Sequence, residues 1–118
     1  MSSEEEGDDG YDGPLSKDER AWLDENTDME ALYLEPRKYY DHAITAIGNQ
    51  PCKGQVLVYD AQKVIEATIQ MFREAYPERS EEGLWSAAVE WCDYNTFCAY
   101  AGEGTPIFTQ PFPPDDLT

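Results

Sequence analysis

Gln55-Val56-Leu57-Val58-Tyr59-Asp60-Ala61-Gln62-Lys63-Val64-Ile65-Glu66 changes its periodicity partway along, and that change decides the fold. As far as Tyr59 the run is short, β-branched and aromatic, which is strand composition. Beyond Ala61, residues Val64, Ile65, Thr68, Ile69, Met71, Phe72, Ala75 and Tyr76 recur at three- and four-residue spacing, which predicts an amphipathic helix with a broad buried face. Asp60 stands at the junction as an N-cap, where a carboxylate accepts from the unpaired N–H groups of the first turn. Pro77 ends the helix near Tyr76, because proline lacks the N–H that the ladder needs.

Upstream, Tyr39 to Ile47 (YYDHAITAI) reads as a second strand. The loop Gly48 to Gly54 would let it pair directly and antiparallel with the first. Downstream, Ser80 caps another helix, with Glu81 and Glu82 in its first turn where the helix dipole favours negative charge. Leu84, Trp85, Ala88, Val89, Trp91 and Cys92 form its inner side, and it runs to about Asn95, a residue type suited to a left-handed cap. Gly102 and Gly104 then flank a turn, and Pro106-Ile107-Phe108-Thr109 reads as an edge strand, since a proline at its start is tolerated only there. Nearer the N-terminus, Ser16-Lys17-Asp18-Glu19 matches a capping box opening a short helix to about Glu25, and Met29 to Leu34 is expected to add another turn or two before Pro36.

The elements add up to an α+β domain over residues 15–109: a small, mainly antiparallel sheet of two or three strands, two main helices packed on one face, and a short N-terminal helix. Residues 1–14 are expected to form a disordered acidic arm, too poor in apolar side chains for burial to offset the entropy of ordering. Residues 110–118, with Pro111, Pro113 and Pro114, are expected to be an extended tail.

Charge narrows the function more than the fold does. The 118 residues hold 25 acids against 8 bases, a formal charge of −17. Such a balance disfavours direct contact with nucleic acid or an anionic membrane and favours basic partners. No apolar run approaches the ~20 residues that span a bilayer. Cys52, Cys92 and Cys98 are odd in number, form no close pair and follow no apolar leader, so the expected setting is a reducing cytoplasm without disulfides.

Candidate chemistry is sparse. Asp41-His42 contains the only histidine, yet neighbours in a strand point to opposite faces and would not form a dyad. His42 with three cysteines has the ligand count of a zinc site but lacks a Cys-x-x-Cys spacing, so buried thiols are expected and neither a metal nor a cofactor is assigned. Gly102-Glu103-Gly104 is too short and too acidic to cradle phosphate, and it reads as a turn. No nucleophile, base and stabiliser form a set, so the expected function is not enzymatic. Trp22, Tyr33, Tyr39, Tyr40, Trp85 and Trp91 are expected to be mostly core, with any surplus available as interface anchors.

The order of apolar strand, Tyr59-Asp60 opening a helix, an acid-capped second helix ending in Asp93-Tyr94-Asn95, and Ala101-Gly102-Glu103-Gly104-Thr105-Pro106-Ile107-Phe108 resembles small proteins encoded by tailed bacteriophages. The likeness covers about residues 41–109, and that family has no settled activity to carry over. Phage context implies an accessory protein in the host cytoplasm that binds a host protein such as a nuclease, polymerase or CRISPR effector. The acids themselves supply a mechanism: Glu4, Glu5, Glu6, Asp8, Asp9 and Asp12 of the arm, with Glu78, Glu81 and Glu82, could imitate a phosphate backbone in a basic groove, as a DNA mimic. The plainer reading of the arm is a solubilising tail. From another class, a structural module that self-associates as a homodimer through aromatic residues and the edge near Ile107 is the alternative.

Overall fold

The computed structural model describes residues 10–49, 54–97 and 104–110. The acids Glu4 to Asp9, Cys52, Cys98, Gly102, Glu103 and the tail from Pro111 onward lie outside the described residues.

The switch at Asp60 stands as the sequence places it. Strand β2 (Gln55–Asp60) leads directly into helix α3 (Ala61–Ala75), and Asp60 Oδ1 accepts from the Lys63 N–H at 3.1 Å. Tyr76 closes α3 by donating its N–H to the Phe72 carbonyl. Helix α4 (Glu81–Cys92) opens on Ser80, whose Oγ accepts from the Gly83 N–H at 3.1 Å, and it continues as a π-helical turn over Asp93–Phe97. Joined by residues 76–80, α3 and α4 form an αα-hairpin, which Arg73 and Glu81 clasp at 2.6 Å. At the N-terminal end, helix α1 (Lys17–Asn26) carries the expected reciprocal cap: Ser16 Oγ accepts from the Glu19 N–H while Glu19 Oε1 accepts from the Ser16 N–H.

Strand β1 (Ile44–Asn49) pairs antiparallel with β2, from Asn49↔Gln55 to Ile44↔Tyr59, with a bulge between Ile44 and Ala46. Strand β3 (Ile107–Thr109) lies on the other side of β2 and runs parallel to it, Val58↔Ile107 to Asp60↔Thr109. The order β1-β2-β3 leaves β3 on an edge, as Pro106 implies, and makes the sheet mixed. The parallel pairing follows from the long crossover, since α3 and α4 intervene and return the chain to the end where β2 began.

Two segments depart from the sequence reading. The strand expected from Tyr39 starts only at Ile44, after a short helix α2 (Arg37–Tyr40) and a 3-10 turn over Asp41–Ala43. Side-chain pairing overrides β-propensity here. Arg37 and Asp41 pair four residues apart at 2.8 Å, and the N–H groups of Tyr39 and Tyr40 fold back on the Pro36 carbonyl. Nor do residues 29–34 form a helical turn. Their backbone is drawn into long-range bonds instead: Leu32 N–H to the Gly104 carbonyl and Leu34 N–H to the Tyr59 hydroxyl, while Asp28 N–H reaches the Gln55 carbonyl. Gly104 permits that approach, because a Cβ there would overlap the Glu30 carbonyl oxygen.

Central strand β2 is buried from Val56 to Tyr59. Leu57 and Tyr59 alternate onto the face where Leu23, Tyr40, Ala43, Val64, Ala67 and Cys92 complete the main core. A fully buried aliphatic side chain such as Leu57 or Val64 contributes about 1.5–3 kcal/mol relative to exposure. The buried stripe of α3 is narrower than its apolar pattern suggests. Ala61, Val64, Ala67 and Thr68 are buried, Phe72 is half-buried, and Ala75 and Tyr76 are exposed.

Candidate functional site

The α3–α4 hairpin carries a group of aromatic side chains at the margin of the core. Phe72 and Tyr76 on α3, Arg79 in the connection, Ala87, Glu90 and Trp91 on α4, and Tyr94 and Asn95 on the π turn surround a cavity of about 440 Å³. The Phe72 ring meets Tyr76 and Trp91 edge-on, at centroid distances of 6.3 and 6.1 Å. Tyr76 is 44% exposed and Tyr94 is 76% exposed. The Arg79 guanidinium lies over the Tyr76 ring, 4.8 Å from its centroid. Asn95 donates its amide to the Trp91 carbonyl at 3.1 Å, which ties the π turn to α4 and replaces the left-handed cap expected there.

Acids line the outside of the same helix. Glu82, Glu90 and Asp93 are exposed, and their spacings of eight and three residues set them along one outward stripe of α4. Glu82 and Glu90 are about 12 Å apart along the axis at 1.5 Å per residue. Of the acids singled out from sequence, Glu78 and Glu82 are exposed and in no ion pair among the described residues. Glu81 is also exposed, but Arg73 grips both of its oxygens, and that hydrogen bonding holds its carboxyl below the usual range. Asp12 lines a different cavity, beside Tyr11.

A second cavity, of about 500 Å³, is lined by Tyr11, Asp12, Arg20, Asp24, Glu35, Arg37 and Lys38 among others. Three cations face three carboxylates, so its walls balance. Behind it the Asp41 carboxylate is wholly buried, and its Oδ2 accepts from the Tyr11 hydroxyl and from Arg37 Nε at 2.9 and 2.8 Å. Arg37 is packed between the rings of Tyr33 (3.9 Å) and Tyr11 (5.3 Å). Burial raises the Asp41 carboxyl above its ordinary range, against the opposing pull of Tyr11 and Arg37. Tyr33, half-buried and hydrogen-bonded to Asp24, is pushed up to about 12, first by burial. Residues 10–14, expected as the end of the arm, are therefore placed against the domain by Tyr11.

The third opening is a groove of about 300 Å³ between α1 and β1, lined by Leu15, Trp22, Leu23, Ile44 and Ala46, with Trp22 53% exposed. Of the aromatic residues expected to be mostly core, Trp22 and Trp85, which is 50% exposed, are the surplus, whereas Tyr40 is buried. Tyr39 donates its hydroxyl to Glu74 at the surface.

The candidate catalytic residues sit in different surroundings. His42 is exposed while Asp41 is buried, now in a 3-10 turn and not a strand. Cys92 is buried, its thiol raised by burial, with Thr68 at 3.3 Å. Among the described residues no three His, Cys, Asp or Glu side chains converge as a metal site, and no helix is long and apolar enough to cross a membrane. The aromatic cavity escaped the sequence reading because Phe72 and Tyr76 keep helical register with the core residues. Arg79 beside the proline break and the Trp91-to-Tyr94 spacing were the available signals. Compared with protein-family models, with curated proteins and with solved structures, the chain matches none.

Proposed function

We propose that the chain is a non-enzymatic accessory protein of the phage type. It binds a basic, nucleic-acid-handling protein in the host cytoplasm and obstructs the groove that would hold nucleic acid. The observation that carries this reading is the stripe Glu82, Glu90 and Asp93 on the outward face of α4, next to exposed aromatic side chains, in a chain of charge −17. A fixed helix spaces acids more regularly than a tail does, and an acidic face with aromatic anchors is complementary to a basic surface that binds phosphates. The acids Glu4 to Asp9 add long-range attraction that salt screens beyond about 8–10 Å.

The test is affinity capture from bacterial lysate with the full chain, with the chain lacking residues 1–9, and with the triple variant Glu82→Gln, Glu90→Gln, Asp93→Asn. A nucleic-acid-binding protein retained at low salt, released by competing DNA and lost with the triple variant bears the proposal out. Retention that the triple variant leaves unchanged sinks the α4 stripe as the contact.

One observation favours a second reading, a self-associating structural module. The outer edge of β1 is unpaired among the described residues and borders the groove holding half-exposed Trp22. A stable dimer by light scattering that persists at high salt and is abolished by Trp22→Ser would select it.

A further inference from the structure

We infer that the cavity between α3 and α4 is a guanidinium site, and that it takes an arginine side chain of the basic partner. The identity of the occupant rests on the function proposed above. The cavity itself rests on geometry.

Four side chains with aromatic rings, Phe72, Tyr76, Trp91 and Tyr94, contribute to its walls. Ring faces carry negative quadrupole density, and a cation within about 6 Å of a centroid is attracted to them. The molecule already demonstrates the contact. Arg79 lies 4.8 Å from the Tyr76 centroid, so this wall accepts a guanidinium in the free protein. Glu90 places a carboxylate on the same lining. Asn95 commits its amide nitrogen to the Trp91 carbonyl, which leaves its Oδ1 as a neutral acceptor for N–H groups.

These features select arginine over lysine. A planar, weakly hydrated guanidinium stacks on a ring and still donates in its plane to an acceptor such as Glu90 or Asn95. A compact ammonium is more strongly hydrated and gives up more on entering between aromatic rings. Arg79 then acts as an internal occupant that the partner's arginine displaces from the Tyr76 ring.

The experiment is an NMR titration of the purified full chain with the capped peptide Gly-Gly-Arg-Gly-Gly and its citrulline and lysine counterparts, at 50 and 300 mM salt. The Trp91 indole N–H and the Tyr94 ring are the reporters. The arginine peptide is expected to shift both, the citrulline peptide neither, and the lysine peptide to bind more weakly. Tyr94→Ala, at a highly exposed position that leaves the core intact, is expected to weaken arginine binding about fivefold. Arg79→Gln is expected to tighten it. Equal shifts from arginine and citrulline, or shifts spread over the acids with Trp91 unmoved, overturn the site. Because no cellular partner is needed, the two proposals fail separately. Peptide binding without lysate capture leaves the guanidinium site standing and removes the partner. Capture that Tyr94→Ala does not weaken, with no peptide shift, removes the site and leaves the acidic stripe.

Discussion

The Tyr11 hydroxyl meets the buried Asp41 carboxylate at 2.9 Å across thirty residues of chain, and the same hydroxyl accepts from the Leu15 N–H at 3.1 Å. This relay joins the acidic N-terminal segment to the turn that precedes β1. Tyr11→Phe keeps the ring against Arg20 and Arg37 but removes the donor from Asp41 and the acceptor from Leu15. A buried polar group that loses its partner forfeits about 1–3 kcal/mol. The expected outcome is a fall of that size in unfolding free energy by urea titration, with an unchanged denaturant slope.

Asp41 also sets a sign for the pH dependence. Burial raises its carboxyl above the ordinary value of 3.8, so between 3.8 and its folded value the native state binds more protons than the unfolded chain. Stability contributed by this group therefore falls as pH rises through that window and is level above it. Arg37, Tyr11, Glu35 and Tyr59 are the charged and titratable groups acting on or with it. Asp41→Asn abolishes the titration while Glu74 and Glu81 keep theirs. The stability difference, wild type minus Asp41→Asn, is expected to decline on going upward from pH 3.8 and then to level off. A difference that rises with pH would mean that Arg37 and Tyr11 outweigh burial.

How much of this was legible depended on whether local and tertiary signals agreed. Asp60, Ser16 and Ser80 are caps whose side chains act on backbone within three residues, and all three sit where the sequence puts them. Tyr39-Tyr40 carries strand propensity, yet the local Arg37–Asp41 pair turns it into α2, and distant partners hold it there, Thr68 on Tyr40 and Tyr11 on the following Asp41. Residues 29–34 lost their helical turn to Tyr59 and Gly104, contacts 25 and 72 residues distant. The acids Glu82, Glu90 and Asp93 were visible singly. Their common stripe emerged only once α4 was known to keep helical geometry through its Asp93 cap.

Inside the core, Thr68 joins three elements. Its hydroxyl lies 2.6 Å from the Tyr40 hydroxyl, 3.0 Å from the Val64 carbonyl and 3.3 Å from Cys92 Sγ. Thr68→Val is nearly isosteric, so it opens no cavity and isolates the polar contribution. It leaves the buried Tyr40 hydroxyl without this partner, and a loss of about 1–3 kcal/mol is expected. The double variant Thr68→Val, Tyr40→Phe removes both polar groups and is expected to recover part of that loss. A double-mutant cycle by chemical denaturation reads the coupling directly.

Arg73 offers the most selective test of the acidic face. It neutralises Glu81 through two hydrogen bonds, of 3.1 and 2.6 Å, at a position where Glu81 is largely exposed and Arg73 partly so. Arg73→Ala releases Glu81 and adds one unit of negative charge at the start of α4 without touching the core. If the hairpin presents its acids to a basic partner, association at low salt should quicken a few-fold, because rim charges act mainly on encounter rates. The gain should vanish near 0.5 M salt, where screening is short-ranged. Glu81→Gln, which leaves Arg73 unopposed, should slow association by a similar factor. The exchange of one sign for the other at a single ion pair separates a surface effect from a loss of folding, since both variants break the same bridge and only their charge differs. Association rates by surface plasmon resonance at three salt concentrations decide it. If both variants shift the rate in one direction, the bridge matters for structure, and the acidic hairpin is not the face the partner meets.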